Sequence, residues 1–139
     1  MEDFEPIRIV EIIEEQVTKP RNDGTPGSAL YRVPLRLSRR PPAEWADYFP
    51  NAWNHPPSWT TMHRPGICQV VGDTIWLNGT TLEEIERTHK ETLQLALDET
   101  NQKYAEFLAK READNERLRK ENEAHKQHVS EAAKKIRFE

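Results

Sequence analysis

The sequence predicts an α+β protein in which a small, mainly antiparallel four-stranded sheet, with elements in the order β-β-α-β-β-α, precedes a very long C-terminal helix. Three observations lead to this fold class. Strand-like runs bounded by turn residues occur before residue 80, an aromatic helical segment interrupts them, and residues 80–138 contain neither Gly nor Pro. Because Gly and Pro are the residues that most disfavour a helix, the last run indicates one continuous helix.

The first two predicted strands cover residues 7–17 and 30–38. The first is rich in β-branched residues, and a bulge near Ile12 would reconcile its apolar positions with the alternation of a strand. The second alternates apolar and polar residues, so it has one buried face. Pro34 lacks the backbone N–H that a sheet ladder uses, so this strand is expected at a sheet edge or a bulge, antiparallel to the first.

Residues 43–54 predict a helix with one aromatic face, formed by Trp45, Tyr48, Phe49, Ala52 and Trp53. Pro42 suits its first position, and Pro50 is expected to kink or divide it. One interpretation is that these aromatic residues supply the core of a domain short of apolar residues, which their size favours. The alternative is a stacking platform for bases or a groove for a peptide.

The next two strands are predicted within residues 67–78, on either side of Gly72-Asp73. This dipeptide is typical of a tight hairpin, because Gly permits the turn whose twist matches that of the strands. The long helix then begins at Thr80 or Thr81, each followed three residues later by Glu, as in a capping box. Up to residue 108 the helix carries a wide apolar stripe, as expected for a helix that lies on a sheet.

Beyond residue 108 the stripe narrows to a seam that advances by alternating steps of four and three residues, the spacing of a coiled coil. The full seam is Leu97, Asn101, Tyr104, Leu108, Arg111, Asn115, Leu118, Asn122, His125, Val129, Ala132 and Ile136. Its apolar members are the expected contacts with a partner helix: Leu97, Tyr104, Leu108, Leu118, Val129 and Ile136. Its Asn, Arg and His residues lower stability while restricting register and oligomeric state.

Two interpretations of the helix after residue 109 remain open. Its regular seam favours pairing with a second copy or a partner helix. A single solvated helix is the other interpretation, since Glu lies four residues before Lys or Arg at several places, including Glu99–Lys103 and Glu116–Lys120. In both cases the chain divides into a compact α+β head, residues 1–109, and a charged helical extension, residues 110–139.

Composition limits the class of protein. The chain has 139 residues, of which 35% are hydrophobic, with a net charge of −4 and one Cys. It has no apolar run of membrane-spanning length and its first residues are acidic, so we expect a cytoplasmic protein without membrane contact. A single Cys excludes an intramolecular disulfide.

No catalytic, cofactor or metal site is assigned from the sequence. The side chains that zinc prefers, His55, His63, Cys68 and His89, follow no zinc-site spacing. A catalytic subunit would need distant residues such as His55, Asp73 and His89 to converge in a cleft.

The sequence therefore predicts a non-enzymatic interaction or assembly module that self-associates, or binds a protein partner, through its C-terminal helix. The alternative is a nucleic-acid-binding accessory protein that uses the arginines in and after the second strand, Arg32, Arg36, Arg39 and Arg40. The acidic net charge and the absence of a recognisable binding motif weigh against that alternative. A simpler role for these arginines is pairing with glutamates on the adjacent strand.

Overall fold

The fold is seen in a computed structural model, which describes residues 4–138. Its elements are β1 (Ile9–Ile12), β2 (Tyr31–Leu37), α1 (Ala43–Asn54), β3 (Cys68–Val71), β4 (Thr74–Thr80), a helical turn α2 (Leu82–Glu84) and the long α3 (Lys90–Lys134). The four strands form one antiparallel sheet in the order β1-β2-β4-β3. The predicted α+β fold class, with its long C-terminal helix, is confirmed.

The first strand is shorter than predicted. Its pairing with β2 shifts register between Ile9 and Glu11, so the irregularity lies earlier than Ile12. After β1 the chain forms a 3₁₀ turn at Glu14–Gln16. Ile13 is nevertheless buried, so an apolar residue beyond the strand still contributes to the core.

The expectation that Pro34 marks a sheet edge or a bulge is wrong. Strand β2 lies inside the sheet between β1 and β4, and the register shifts of its two pairings occur at Ile9/Glu11 and at Tyr31/Arg32. The N–H of Ile13 donates to the carbonyl of Pro34 at 3.0 Å. In an antiparallel ladder the N–H of residue 34 would in turn donate to the carbonyl of Ile13. Proline has no N–H, so this second hydrogen bond is missing. The interior strand tolerates Pro34 because β1 ends at this point and no further ladder bond is required.

Helix α1 supplies large aromatic side chains to the core. Trp45, Phe49 and Trp53 are completely buried, and the Trp45 and Phe49 rings stack with centroids 5.4 Å apart. Side chains without accessible surface offer no platform for an external base, so the core interpretation applies. Pro50 lies inside the helix without dividing it, and Pro42 is the residue before the first helical position.

The predicted hairpin is present, with β3 and β4 joined at Gly72-Asp73 and Val71 paired with Thr74. Gly72 has φ of +62°, a left-handed conformation that glycine adopts at little cost. On the buried face of the sheet, Val33 and Leu35 of β2 lie opposite Leu77 and Ile75 of β4.

One polar side chain ties three segments of the chain together. The Asn101 carboxamide oxygen of α3 accepts hydrogen bonds from the backbone N–H of Ile7 at 3.0 Å and from the Trp45 indole N–H at 2.9 Å. Its amide nitrogen donates to the Ile7 carbonyl at 2.9 Å. Asn101 is a polar seam position in the sequence, and in the structure it joins the N-terminal segment and α1 to α3.

The chain forms two compact units, one from Phe4 to Tyr104 and one that contains the residues from Ala105 onward. The predicted division lies after residue 109, five residues further along. Leu97 and Tyr104 are buried within the first unit, with 3% and 6% of their surface exposed. These two seam residues are therefore core residues rather than surface available to a partner helix.

The long helix begins and ends slightly inside its predicted bounds. Thr80 belongs to β4, and Thr81 is the cap, its hydroxyl accepting the Glu84 N–H at 3.1 Å. At the other end α3 stops at Lys134, and the N–H of Ile136 bonds to the carbonyl three residues before it. Ile136 thus lies past the regular helix.

Candidate functional site

The helical run after β4 is irregular where it meets the segment that joins α1 to β3. Between α2 and α3, Ile85–His89 forms a π-helical turn. Such wide turns are rare, and they are frequent at functional sites. Glu84 precedes this turn and His89 ends it. Both side chains are largely or completely buried, with 12% and 0% of their surface exposed.

The Glu84 carboxylate is held by two neighbours. Arg64 donates to it twice, from Nε at 3.3 Å and from Nη2 at 2.7 Å, and the Thr80 hydroxyl donates at 3.0 Å. A capping box would instead direct this carboxylate to the N–H of Thr81. Burial acts to raise the pKa of Glu84, but these hydrogen bonds and the Arg64 charge outweigh it, so the pKa lies below its ordinary value.

Two histidine side chains lie near this ion pair: His89 is beside Glu84, and His63 precedes Arg64 in the chain. His89 Nε2 is 3.7 Å from a Glu84 oxygen, outside hydrogen-bond distance. Both ring nitrogens of His63 and of His89 are buried, and none of the four has a hydrogen bond to a protein group. Burial lowers the pKa of each imidazole. Buried polar atoms are nearly always hydrogen-bonded to protein or to water, so four ring nitrogens without a protein partner at one place are unusual.

Trp53 of α1 packs against both histidines, its ring centroid 4.6 Å from that of His63 and 5.4 Å from that of His89. Its indole N–H donates to the Arg64 carbonyl at 2.9 Å. The residues that meet here, termed the Glu84 cluster, are Trp53, His63, Arg64, Thr80, Glu84 and His89. The cluster joins α1, the segment after it, β4 and the π-helical turn.

The chemistry open to the Glu84 cluster is the uptake and release of protons. It holds one carboxylate, one guanidinium and two imidazoles whose pKa burial lowers. Within residues 4–138, no three side chains of His, Cys, Asp or Glu come close enough together to hold a metal ion.

Sequence reasoning singled out His63 and His89 as candidate ligands but linked neither of them to Arg64 or Glu84. Arg64 and Glu84 are 20 residues apart, and no spacing rule links them. The only local signal was the capping match at Thr81, which drew attention to Glu84 for a different role.

The other residues considered for chemistry do not join this cluster. His55 is exposed, and its ring bonds to the Asn51 carbonyl. Asp73 is in the β-hairpin turn, and Cys68 is half-buried in β3. The catalytic convergence of His55, Asp73 and His89 considered from the sequence is therefore absent.

We expect the Cys68 thiol to be unreactive in the folded protein. Burial raises its pKa to about 12, so its thiolate population at pH 8 is about a thousandfold lower than that of an unfolded chain. An aromatic disulfide reagent should modify the native protein at least about 100-fold more slowly than the protein in concentrated urea. Equal rates in the two conditions would contradict this expectation.

Two of the four arginines of the nucleic-acid alternative lie on the outer face of the sheet, in contact with protein groups. The Arg32 guanidinium lies over the Trp76 ring, 4.7 Å from its centroid, and donates to Asn78 at 2.8 Å. Arg36 forms an ion pair with Glu11 on the neighbouring strand at 2.9 Å, one of the pairings expected from the sequence.

The other two arginines follow β2. Arg39 donates to the Glu5 carbonyl at 2.6 Å and lies over the Phe4 ring, whereas Arg40 is exposed. Three of the four guanidinium groups thus have intramolecular contacts. Nucleic-acid binding through these residues stays a prediction, and this geometry does not favour it.

The second unit offers a different kind of surface. Leu118 and Val129, both seam residues of α3, are each 49% exposed. Leu108 is half-buried, and Ile136 is 62% exposed. None of the described residues from Ala105 onward is buried.

Ion pairs flank this seam. Arg119 donates to both oxygens of Glu116, at 3.1 and 2.6 Å, so Glu116 pairs with a residue three positions away rather than with Lys120. Within the first unit, Glu99 and Lys103 do form the predicted pair four residues apart, at 3.7 Å. Exposed pairs of this kind contribute little to stability, because water and salt screen their charges.

No helix among the described residues is long and apolar enough to cross a lipid bilayer. Comparison of the chain with protein-family models, with curated proteins and with solved structures gave no significant match. Its function is therefore inferred from its own residues and their geometry.

Proposed function

We propose that this chain is a non-enzymatic assembly module whose copies associate through the seam of α3. The observation that carries the proposal is the exposure of Leu118 and Val129 at coiled-coil spacing on a helix that continues to Lys134. Scattered exposed apolar residues are common on proteins, but residues that keep a seven-residue repeat share one stripe and can be buried together. Burying a Leu or Val side chain contributes roughly 1.5–3 kcal/mol.

The polar residues of the seam favour a second copy as the partner. Asn115 and Asn122 lie between the apolar positions, and in a parallel pair of identical helices each would face its equivalent. Asn facing Asn forms a hydrogen bond, whereas Asn facing an apolar residue is buried unpaired. Such positions lower stability but select register and oligomeric state, which suits an association that depends on protein concentration.

The charged residues beside the seam also suit association of two identical helices. Acidic and basic residues alternate along this part of the helix, as in Asp114, Arg117 and Glu121, which form ion pairs at 3.8 and 3.9 Å. A helix that carries both signs of charge on its flanks can meet a second copy without strong repulsion. In this proposal the helix sets the copy number, and the first unit is free to bind a further protein.

The test is a double substitution, Leu118→Glu with Val129→Glu. Two charges in the seam should prevent its burial, so sedimentation equilibrium over a dilution series should show a mass of one chain where the unaltered protein shows two or more. The first unit should keep its near-ultraviolet circular dichroism, because neither residue contributes to its core.

A matched control has the same change of charge on the opposite side of the helix. Ala113→Glu with Gln127→Glu also adds two negative charges at exposed positions, and this variant should keep the mass of the unaltered protein. A mass of one chain for the unaltered protein at every concentration would overturn self-association. If the unaltered protein associates and the seam variant has the same mass, association uses another surface.

A further inference from the structure

We propose that the Glu84 cluster is a pH-sensitive latch, in which protonation of His63 and His89 releases the segment of residues 55–66 from the π-helical turn. The proposal rests on the geometry of the cluster and is independent of the assembly proposed for α3. What carries it is the position of His89 beside a carboxylate whose hydrogen bonds hold that segment in place, with the His63 ring packed on the same Trp53. Neither imidazole has a hydrogen bond to a protein group.

In the closed state the segment is attached by three kinds of contact. Arg64 donates to Glu84 through two nitrogens, and its carbonyl accepts the Trp53 indole N–H. The His63 ring lies between Trp53 and the exposed Trp59, whose ring centroid is 4.9 Å away. The contacts with Trp53 join the segment to α1, and the Arg64–Glu84 ion pair joins it to the residue before the π-helical turn, whereas Trp59 belongs to the segment itself. The contacts with Trp53 and Glu84 break together when the segment moves away.

The balance of charge explains why protonation would open the latch. The charged or titratable groups that face His89 are Glu84, from its own helical run, and His63 and Arg64, from the segment. The neighbouring residues of α1 and β4, Trp53 and Thr80, carry no charge. With both histidines neutral, one carboxylate balances one guanidinium. With both protonated, the cluster holds three positive groups and a single carboxylate, which is already bound to Arg64.

Opening removes this conflict, because it gives the imidazoles access to water. Burial holds the pKa of both histidines below their ordinary value of 6.5, so the open state binds more protons than the closed state as the pH falls below 6.5. The closed state is favoured above that pH. Below it, the opening equilibrium rises by up to tenfold per pH unit for each proton taken up, until the pH reaches the lowered pKa of the closed state.

Two indole N–H groups allow the opening to be measured within one molecule. The Trp53 N–H bonds to Arg64 and reports on the latch, whereas the Trp45 N–H bonds to Asn101 and reports on the core. We would measure the hydrogen exchange of both by NMR spectroscopy of the intact protein from pH 7.5 to pH 5.0. The ratio of the two rates cancels the intrinsic pH dependence of indole exchange, and global unfolding would accelerate both groups.

The expected result is a rise of at least about tenfold in the ratio of the Trp53 rate to the Trp45 rate between pH 7.5 and pH 5.0. The double variant His63→Gln with His89→Gln cannot take up these protons, so its ratio should stay constant. The matched control His125→Gln with His128→Gln removes two exposed histidines of α3 and should retain the rise.

A constant ratio in the unaltered protein would overturn the proposal, as would a rise that persists in the double variant. If the double variant does not fold, His63→Gln alone decides the matter. It removes one of the two protons, so the dependence of the ratio on pH should become shallower, and an unchanged dependence would exclude His63 from the latch.

Discussion

Replacing Trp53 with alanine is expected to lower the free energy of unfolding by about 4 kcal/mol, within the range found for large aromatic residues in protein cores. The side chain is completely buried, packs against His63 and His89, and donates a hydrogen bond to Arg64. Its loss leaves a cavity beside two imidazoles that have no hydrogen bond to a protein group. Urea unfolding followed by far-ultraviolet circular dichroism measures the effect.

Trp59→Ala is the matched control for this variant. Trp59 contacts the same histidine, with its ring at right angles to that of His63, but 59% of its surface is exposed. The substitution should lower the free energy of unfolding by less than about 1 kcal/mol. Most of the Trp59 side chain is already in water, so little burial of apolar surface is lost. Equal effects of the two substitutions would show that Trp53 is not a core residue.

Asn101→Ala is the second large effect, with an expected loss of about 3 kcal/mol. The substitution removes three hydrogen bonds and leaves the Ile7 N–H and C=O and the Trp45 indole N–H without partners. Each buried group left unpaired costs about 1–3 kcal/mol, and water can reach some of them because the site is only partly buried. Urea unfolding again supplies the measurement, and the Trp45 indole resonance should shift.

Asn122→Ala provides the comparison on the same helix. It makes the same change of residue type, with the same gain in helix propensity, at an exposed position. Because Asn122 is a seam residue, the comparison concerns the unfolding of the first unit alone, on which its effect should stay within about 0.5 kcal/mol. If Asn101→Ala had as small an effect as Asn122→Ala, Asn101 would not be an important link between Ile7, Trp45 and α3.

The two units suggest different uses for the same helical run. In the first unit, Leu97 and Tyr104 are buried in a core, and Asn101 bonds to groups of the same unit. From Ala105 onward the same spacing continues, but its apolar members Leu118 and Val129 are exposed. One repeat in the sequence therefore supplies core contacts in one unit and, as we propose, contacts between copies in the other.

The sequence by itself determined the features that depend on near neighbours. Alternation identified β2, because Val33, Leu35 and Leu37 follow the two-residue period of a strand. Gly72 marked the hairpin, since its φ of +62° suits the tight turn there. The Thr81 cap and the absence of Gly and Pro after it identified the long helix. Each of these signals lies within a few residues of the structure that it specifies.

Only the tertiary structure decided the features that join distant residues. Strand β2 can lie inside the sheet although it contains Pro34, because β1 ends beside Pro34. The hydrogen bond that the missing N–H would make to β1 is therefore not needed. The Glu84 cluster depends on the segment of residues 55–66 meeting the π-helical turn. Periodicity and capping rules describe one element at a time. The partners of Glu84, His89 and Asn101 are set by how the elements pack, and no local spacing encodes that arrangement.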